Sequence, residues 1–323
     1  MREICLMRCV RVLIVVLATS VCSVAGFCAT KVELREFTCP VDGTKFSGRA
    51  LVETDKFGGV DSDFCAWPGG TSGMAYEVQV CPKCFYATRN DYFNQRLPGD
   101  IKKSLKTALA KWRADHPEVT KVEELTPGQR WELTALCGIV KHNHPPLMGN
   151  LWLRAAWAAR HHACHTLRMN FGDPMSTFEI VDGMEADLKA EKNENKAIVL
   201  TFRLVMACHR AGDPKRRDVF VKALEGKKLK EKDAARLAAL KEAFAREALY
   251  QQRALDAFNK ALDEDKIKPD ERDVYLFIVA DTTRRLGKDE EAVTRYKKVK
   301  EAGKIRADIR KMCDFMIHWL APE

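Results

Sequence analysis

A segment that recurs three times at a fixed interval constrains this chain more than any other feature. Phe220-Val221-Lys222-Ala223-Leu224-Glu225 returns as Phe258-Asn259-Lys260-Ala261-Leu262-Asp263 and, more loosely, as Tyr296-Lys297-Lys298-Val299-Lys300-Glu301. Both steps span 38 residues. A period in this range marks stacked helix hairpins, each unable to bury its apolar face alone. The competing reading is an irregular helical bundle in which the same residues are ordinary core, because three divergent units lie near the minimum for a solenoid.

The last unit resembles a tetratricopeptide repeat. Arg285-Leu286-Gly287 ends one helix and Lys288-Asp289-Glu290-Glu291-Ala292 opens the next, while Ala280, Ala292, Tyr296 and Val299 fill its small and aromatic positions. Ala254, Phe258 and Ala261 keep the spacing in the middle unit; the first unit keeps Phe220 and Ala223 but has Arg216 at the first small position. The period exceeds the usual one by four residues, and the terminal Pro is missing. The expected array is tetratricopeptide-like without being regular.

Ahead of the repeats the pattern changes twice. Residues 31–95 read as strand and loop. Tyr76, Val78 and Val80 alternate with Glu77 and Gln79 up to Cys81, the period of a half-buried strand. Val32 and Leu34 begin a similar alternation that Glu36-Phe37 breaks, which predicts a bulge or an early strand end before Cys39. From about Asp100 the periodicity is helical. Thr126-Pro127 places a capping residue before a Pro at the first helical position, opening a helix through about Val140. Leu147–Met169 follows as a strongly apolar helix, and helices continue from about Asn195 to the end.

The chemistry concentrates in the strand-and-loop part. Cys81-Pro82-Lys83-Cys84 closes a predicted strand, and Cys39-Pro40-Val41-Asp42-Gly43 looks like a second knuckle with Asp in place of its second Cys. Paired knuckles build a tetrahedral zinc site by aiming two thiolates each at one ion. The upstream knuckle lacks one thiolate. Cys65, in Asp61-Ser62-Asp63-Phe64-Cys65, is the natural replacement, so Cys39, Cys65, Cys81 and Cys84 are the expected zinc ligands. Asp42 is the alternative fourth ligand.

The order CPxxG, then DxDFC, then YEVxVCPxCxYA resembles an uncharacterised bacterial family, domain of unknown function 2225. The helix Leu151-Trp152-Leu153-Arg154-Ala155-Ala156-Trp157 and the turn Arg284-Arg285-Leu286-Gly287 are similar to the helical part of that family. The resemblance implies a cysteine-knuckle segment followed by helical repeats, and it implies no reaction. Two positions depart from the family pattern: Asp42 where Cys is usual, and Phe85 where Gly is usual.

The N-terminus reads as an export signal. Arg2, Arg8 and Arg11 precede the apolar run Val12 to Val21, and Ser23-Val24-Ala25 offers small residues for cleavage after Ala25. An uncleaved membrane anchor over residues 12–30 is the alternative. Residues 1–25 hold three Arg and one Glu, so cleavage lowers the net charge from +9 to +7. Lys and Arg are interleaved with Asp and Glu throughout, the mark of solvated helix faces and not of a nucleic-acid surface. Of twelve cysteines, Cys137, Cys164, Cys208 and Cys313 fall in helical patterns as buried small hydrophobes, and Cys28 stands alone.

Other constellations are weaker. His161, Cys164 and His165 share a helix face at metal-ligand spacing, but an Arg/His-rich face more often caps or covers a core. His142 and His144 read as loop. Asp61 and Asp63 read as turn-shaping carboxylates. No complete catalytic motif occurs, neither a nucleophile elbow, a phosphate loop nor His-Glu-x-x-His.

Together these features predict a mainly α protein: a small β-rich, zinc-ribbon-like knuckle module followed by an α-helical array with tetratricopeptide-like repeats. The expected divisions are a signal over 1–25, the knuckle module over 31–95, a helical connecting region over 96–190 and the repeats over 191–323. The expected function is that of an exported, periplasmic or otherwise extracytoplasmic binding or scaffold protein, with a structural zinc and a protein or peptide partner on the repeats. The alternative is a thiol–disulfide oxidoreductase acting through Cys81 and Cys84, since an oxidising compartment can close such a pair.

Overall fold

The structure, a computed structural model, describes residues 30–167, 170–302 and 305–321. The expected export signal lies outside the described residues. Two β-hairpins come first: β1 (Lys31–Thr38) pairs antiparallel with β2 (Lys45–Glu53), and β3 (Val78–Val80) with β4 (Ala87–Arg89). Helices follow as α1 (Gly99–Asp115), α2 (Pro127–Val140), α3 (Pro145–Cys164), α4 (Ser176–Ala190), α5 (Glu194–Ala211), α6 (Pro214–Glu225), α7 (Glu231–Asp263), α8 (Arg272–Arg285), α9 (Asp289–Glu301) and α10 (Ala307–Leu320). The chain is mainly helical with a small cysteine-bearing β module near its N-terminus.

Local signals explain several helix starts. The Thr126 side chain accepts from the Gln129 N–H while Gln129 Oε1 accepts from the Thr126 N–H, a reciprocal cap with Pro127 at the first position. Asn193 and Asp213 cap α5 and α6 in one direction only, accepting from the Lys196 and Arg216 amides respectively.

The strands depart from expectation in detail. β1 runs unbroken to Thr38, and its irregularity falls at Lys31/Val32 instead of at Glu36-Phe37. Phe37 is buried against Phe46 and Phe93, whereas Leu34 is 75% exposed, so the core face is the one opposite the apparent alternation. β3 is only three residues long, and Tyr76 belongs to a 3-10 turn before it. Val78, Gln79 and Val80 are all buried; Gln79 meets its burial by donating to the Arg49 carbonyl at 2.8 Å and to Asn90 Oδ1 at 2.9 Å.

Two apolar cores organise the molecule. The first joins the hairpins to α1, α2, α3 and the C-terminal half of α7, through Phe37, Val80, Phe93, Leu105, Trp131 and Phe258. The second joins α4, α5 and α6 to α8, α9 and α10, through Phe178, Phe202, Phe277, Tyr296 and Met316. The loop between β2 and β3 leaves its own module and enters the second core with Cys65 and Trp67.

The repeat residues Phe220, Phe258 and Tyr296 are all buried. They lie on α6, α7 and α9, and α5–α6 and α8–α9 pack as neighbours on either side of α7. α7 itself is one helix of 33 residues, packed chiefly along α3. Its sequence holds no Gly or Pro to break it, so the middle unit is not a hairpin. The close α3–α7 approach needs Gly149: a Cβ there would stand 2.3 Å from the Phe258 ring. Burying such a ring is worth roughly 2–3 kcal/mol.

No helix among the described residues is long and apolar enough to cross a membrane. Cys137, Cys164, Cys208 and Cys313 are buried within their helices, as expected.

Candidate metal centre

The turns that close the two hairpins are copies of one another. In the first, the Cys39 N–H donates to the Thr44 carbonyl and the Gly43 N–H to the Cys39 carbonyl, at 2.8 and 2.9 Å. In the second, the Cys81 N–H donates to the Tyr86 carbonyl and the Phe85 N–H to the Cys81 carbonyl, at 2.8 and 3.0 Å. The fifth residue of each turn has a left-handed backbone, Gly43 at φ 78° and Phe85 at φ 63°. Glycine adopts this freely and a phenylalanine does not. Phe85 is held there by its ring, buried beside Trp112 with the Arg113 guanidinium 5.0 Å from its centroid. That contact anchors the second turn to α1.

The equivalence makes Asp42 the structural counterpart of Cys84. Ligand atoms of Cys39, Asp42, Cys81 and Cys84 all lie within 4.8 Å of one another. Cys39 Sγ is 3.5 Å from Cys84 Sγ, and Cys81 Sγ is 3.7 and 3.8 Å from the two Asp42 oxygens. A tetrahedron with metal–sulfur bonds of about 2.3 Å has edges of about 3.8 Å. The four donors, two from each hairpin, stand close enough together to hold a metal ion.

The electrostatics of the cluster point the same way. Contact with Cys81 pushes the Cys39 thiol up to about 12, and contacts with Cys39 and then Cys81 push Cys84 up further. Those same contacts lower Cys81 to about 3. Burial opposes ionisation of Asp42, but the Thr44 amide, 3.0 Å from Oδ1, and the neighbouring thiols hold its carboxyl below the usual range. Cys81 Sγ lies 3.7 Å from Asp42 Oδ1, close enough for a thiol there to donate to the carboxylate. Among the described residues no cationic side chain forms an ion pair with any of the four donors. A cation bound by these four groups would favour ionisation of the thiols.

Cys65, the expected fourth ligand, is elsewhere. Asp61–Cys65 is a tight loop in which the Phe64 N–H donates to the Asp61 carbonyl and the Asp61 N–H to the Cys65 carbonyl. The loop carries Cys65 to α3, where its Sγ lies 3.3 Å from His161 Nε2. The His161 ring stacks on Trp67 at 4.0 Å, and its Nδ1 is 2.6 Å from Ser72 Oγ. Burial lowers His161 to about 3 and raises Cys65 well above its ordinary value, so the pair is neutral. His161, Cys164 and His165, a helix face that more often caps or covers a core, do not come together as a metal-holding group: the first two are buried and His165 is exposed.

The same loop builds a second polar constellation. Asp61 and Asp63, expected only to shape their turn, are buried among helix residues. Arg160 of α3 donates to Asp61 at 2.9 Å, to Asp63 at 2.7 Å and to Glu247 of α7 at 2.8 Å. Arg210 of α5 reaches Asp61 at 3.2 Å and is sandwiched between the Trp67 and Phe171 rings. Ser62 donates to Asp281 of α8 and accepts from Arg284 and Arg285. Tyr296 of α9 donates to Asp281 at 2.7 Å. Burial works against the charge on Asp63 and Glu247, but the arginines outweigh it and hold both carboxyls low, Glu247 at about 2. Four guanidinium groups meet four carboxylates, so the hub is balanced within itself.

These features define a helical protein that carries two interlocked cysteine-type turns with a metal-competent donor set, pinned to its helices by a buried DxD loop. The chain belongs to the family described as uncharacterized protein conserved in bacteria (DUF2225), whose model matches residues 33–316. None of the curated proteins or solved structures compared with it matches.

Proposed function

We propose that this protein is an exported binding or scaffold protein whose paired turns are clipped by one structural zinc ion, held by Cys39, Asp42, Cys81 and Cys84. The observation that supports the metal reading is the duplicated turn, two donors from each copy with all four ligand atoms within 4.8 Å of one another. Zinc held there ties β1–β2 to β3–β4, and an isolated two-stranded hairpin is at best marginally stable.

The binding reading rests on the helical half. A cleft of about 430 Å³ opens between the α5–α6 turn, α7 and the end of α8. Phe244, Val221, Pro214 and Leu286 line its apolar wall, and Arg217 and Lys222 stand among its polar groups. Such a mixed concave surface between helices suits a protein or peptide segment. The basic head, apolar run and small residues of the first 25 positions support export.

Zinc and free thiols quantified on protein purified without chelator test the metal reading. One zinc per chain, with the Cys39, Cys81 and Cys84 thiols shielded from alkylation until chelator is added, is the expected result. A metal-free protein that reduces insulin disulfides, and loses this with Cys81→Ser, would instead make it a thiol–disulfide oxidoreductase.

A further inference from the structure

We propose that the metal centre is also a site of oxidation, at which Cys84 and Cys39 close a disulfide across the two hairpins and the bound cation is released. This rests on the zinc reading above. The sequence favours a bond within Cys81-Pro82-Lys83-Cys84, the two cysteines being three positions apart. The fold selects a different pair. Cys84 Sγ lies 3.5 Å from Cys39 Sγ although 45 positions separate them, and Cys81 Sγ, which also contacts both thiols, is hydrogen-bonded to the Asp42 carboxylate. A disulfide of about 2.05 Å needs an approach of about 1.5 Å from there, within reach of small side-chain rotations on two turns.

Exposure sets the order of events. Cys39 and Cys81 are 1% and 0% exposed, whereas Cys84 is partly open to solvent. A low-molecular-weight disulfide therefore meets Cys84 first. The Cys84 thiolate attacks one sulfur of that disulfide, forming a mixed disulfide and expelling the other half as a thiolate. The Cys39 thiolate then attacks the Cys84 sulfur and expels the second half. Two protein thiolates are oxidised, one external disulfide is reduced to two thiolates, and the donor set shrinks to Cys81 and Asp42. Two donors do not make a structural zinc site. Cys65, Cys137, Cys164, Cys208 and Cys313 are buried in the cores and outside this exchange.

The test treats the reduced, zinc-loaded protein with oxidised glutathione, follows released zinc with a colorimetric chelator, and maps disulfides after acid quenching and trypsin digestion. Cleavage after Lys83 places Cys81 and Cys84 on different peptides, so the two pairings differ in mass. The expected product joins peptide 36–45 to peptide 84–89, and one zinc is released per link formed. In Cys39→Ser the reaction is expected to stop at a glutathione adduct on Cys84. A link between peptides 57–83 and 84–89 in the wild type, or loss of zinc with all thiols still reduced, overturns the proposal. So does a Cys39→Ser protein that forms a Cys84 disulfide within the chain as fast as wild type. If the reduced protein binds no zinc, the metal reading fails on that measurement alone, and the disulfide map still reports on the pairing.

Discussion

The molecule holds two polar constellations that differ in how they balance charge. At the DxD loop, Arg160, Arg210, Arg284 and Arg285 face Asp61, Asp63, Glu247 and Asp281, four cations and four anions drawn from one loop and four helices. Each carboxylate finds its counter-charge in the chain. At the paired turns, three thiols and Asp42 converge, and the described residues supply no cationic ion-pair partner. The difference separates a polar lock balanced within the chain from a donor cluster that could hold a metal ion. Side-chain clustering is common to both; charge balance distinguishes them, and Asp42 and Cys84 are only half-buried.

The largest expected effect is at the lock. Arg160→Met leaves Asp61, Asp63 and Glu247 short of their shared partner, and breaking a buried pair from one side costs about 3–5 kcal/mol. Thermal denaturation followed by circular dichroism should show a drop of many degrees or an unfolded chain. A variant within a degree or two of wild type would mean that the lock contributes little.

Acid should open the lock next. His161 has its folded pKa depressed to about 3 by burial, so below its unfolded value of about 6.5 only the unfolded chain takes up the proton. Asp63 and Glu247, also depressed, keep their contribution above their unfolded values and lose it as pH falls toward their folded ones. Both signs agree. Stability should decline from about pH 6.5 to about pH 3, by about 1.4 kcal/mol per pH unit for each full proton taken up by the unfolded chain alone. Metal-free protein is the right sample, since thiolate ligation adds its own pH dependence. A flat midpoint across that range would count against the lock.

At the metal centre, Asp42→Cys should replace a hard oxygen by a thiolate and tighten zinc retention against a competing chelator. Weaker retention than wild type would mean that position 42 is not a ligand. The smallest expected effect is that of Cys65→Ala on metal, which is none. The loss of a buried sulfur should cost about 1–2 kcal/mol of stability and leave zinc stoichiometry unchanged. Loss of zinc in that variant would return Cys65 to the ligand set.

The metal centre was legible in the sequence because its geometry is local. Cys39-Pro40 and Cys81-Pro82 announce the turns, and Asp42 and Cys84 follow at the same offset. Choosing Cys65 over Asp42 matched donor type and ignored position, since nothing local says that the loop after β2 leaves the hairpins. The lock was illegible for the same reason. Asp61 and Asp63 find partners 97 to 99 positions away in Arg160, and Ser62 finds Asp281 and Arg284 219 to 222 positions away. Two Arg in Arg284-Arg285-Leu286-Gly287 read as a surface turn until their carboxylates are in view. Helix boundaries at Thr126-Pro127 could be read from caps. The 38-residue period found buried aromatics at 220, 258 and 296, but it could not show that α7 runs through the position where a hairpin turn was expected.

Zinc K-edge X-ray absorption on the reduced protein tests the central claim most directly. Three sulfur ligands at about 2.3 Å and one oxygen at about 2.0 Å are expected, from Cys39, Cys81, Cys84 and Asp42. Four sulfur ligands, or a protein that takes up no zinc, would contradict it.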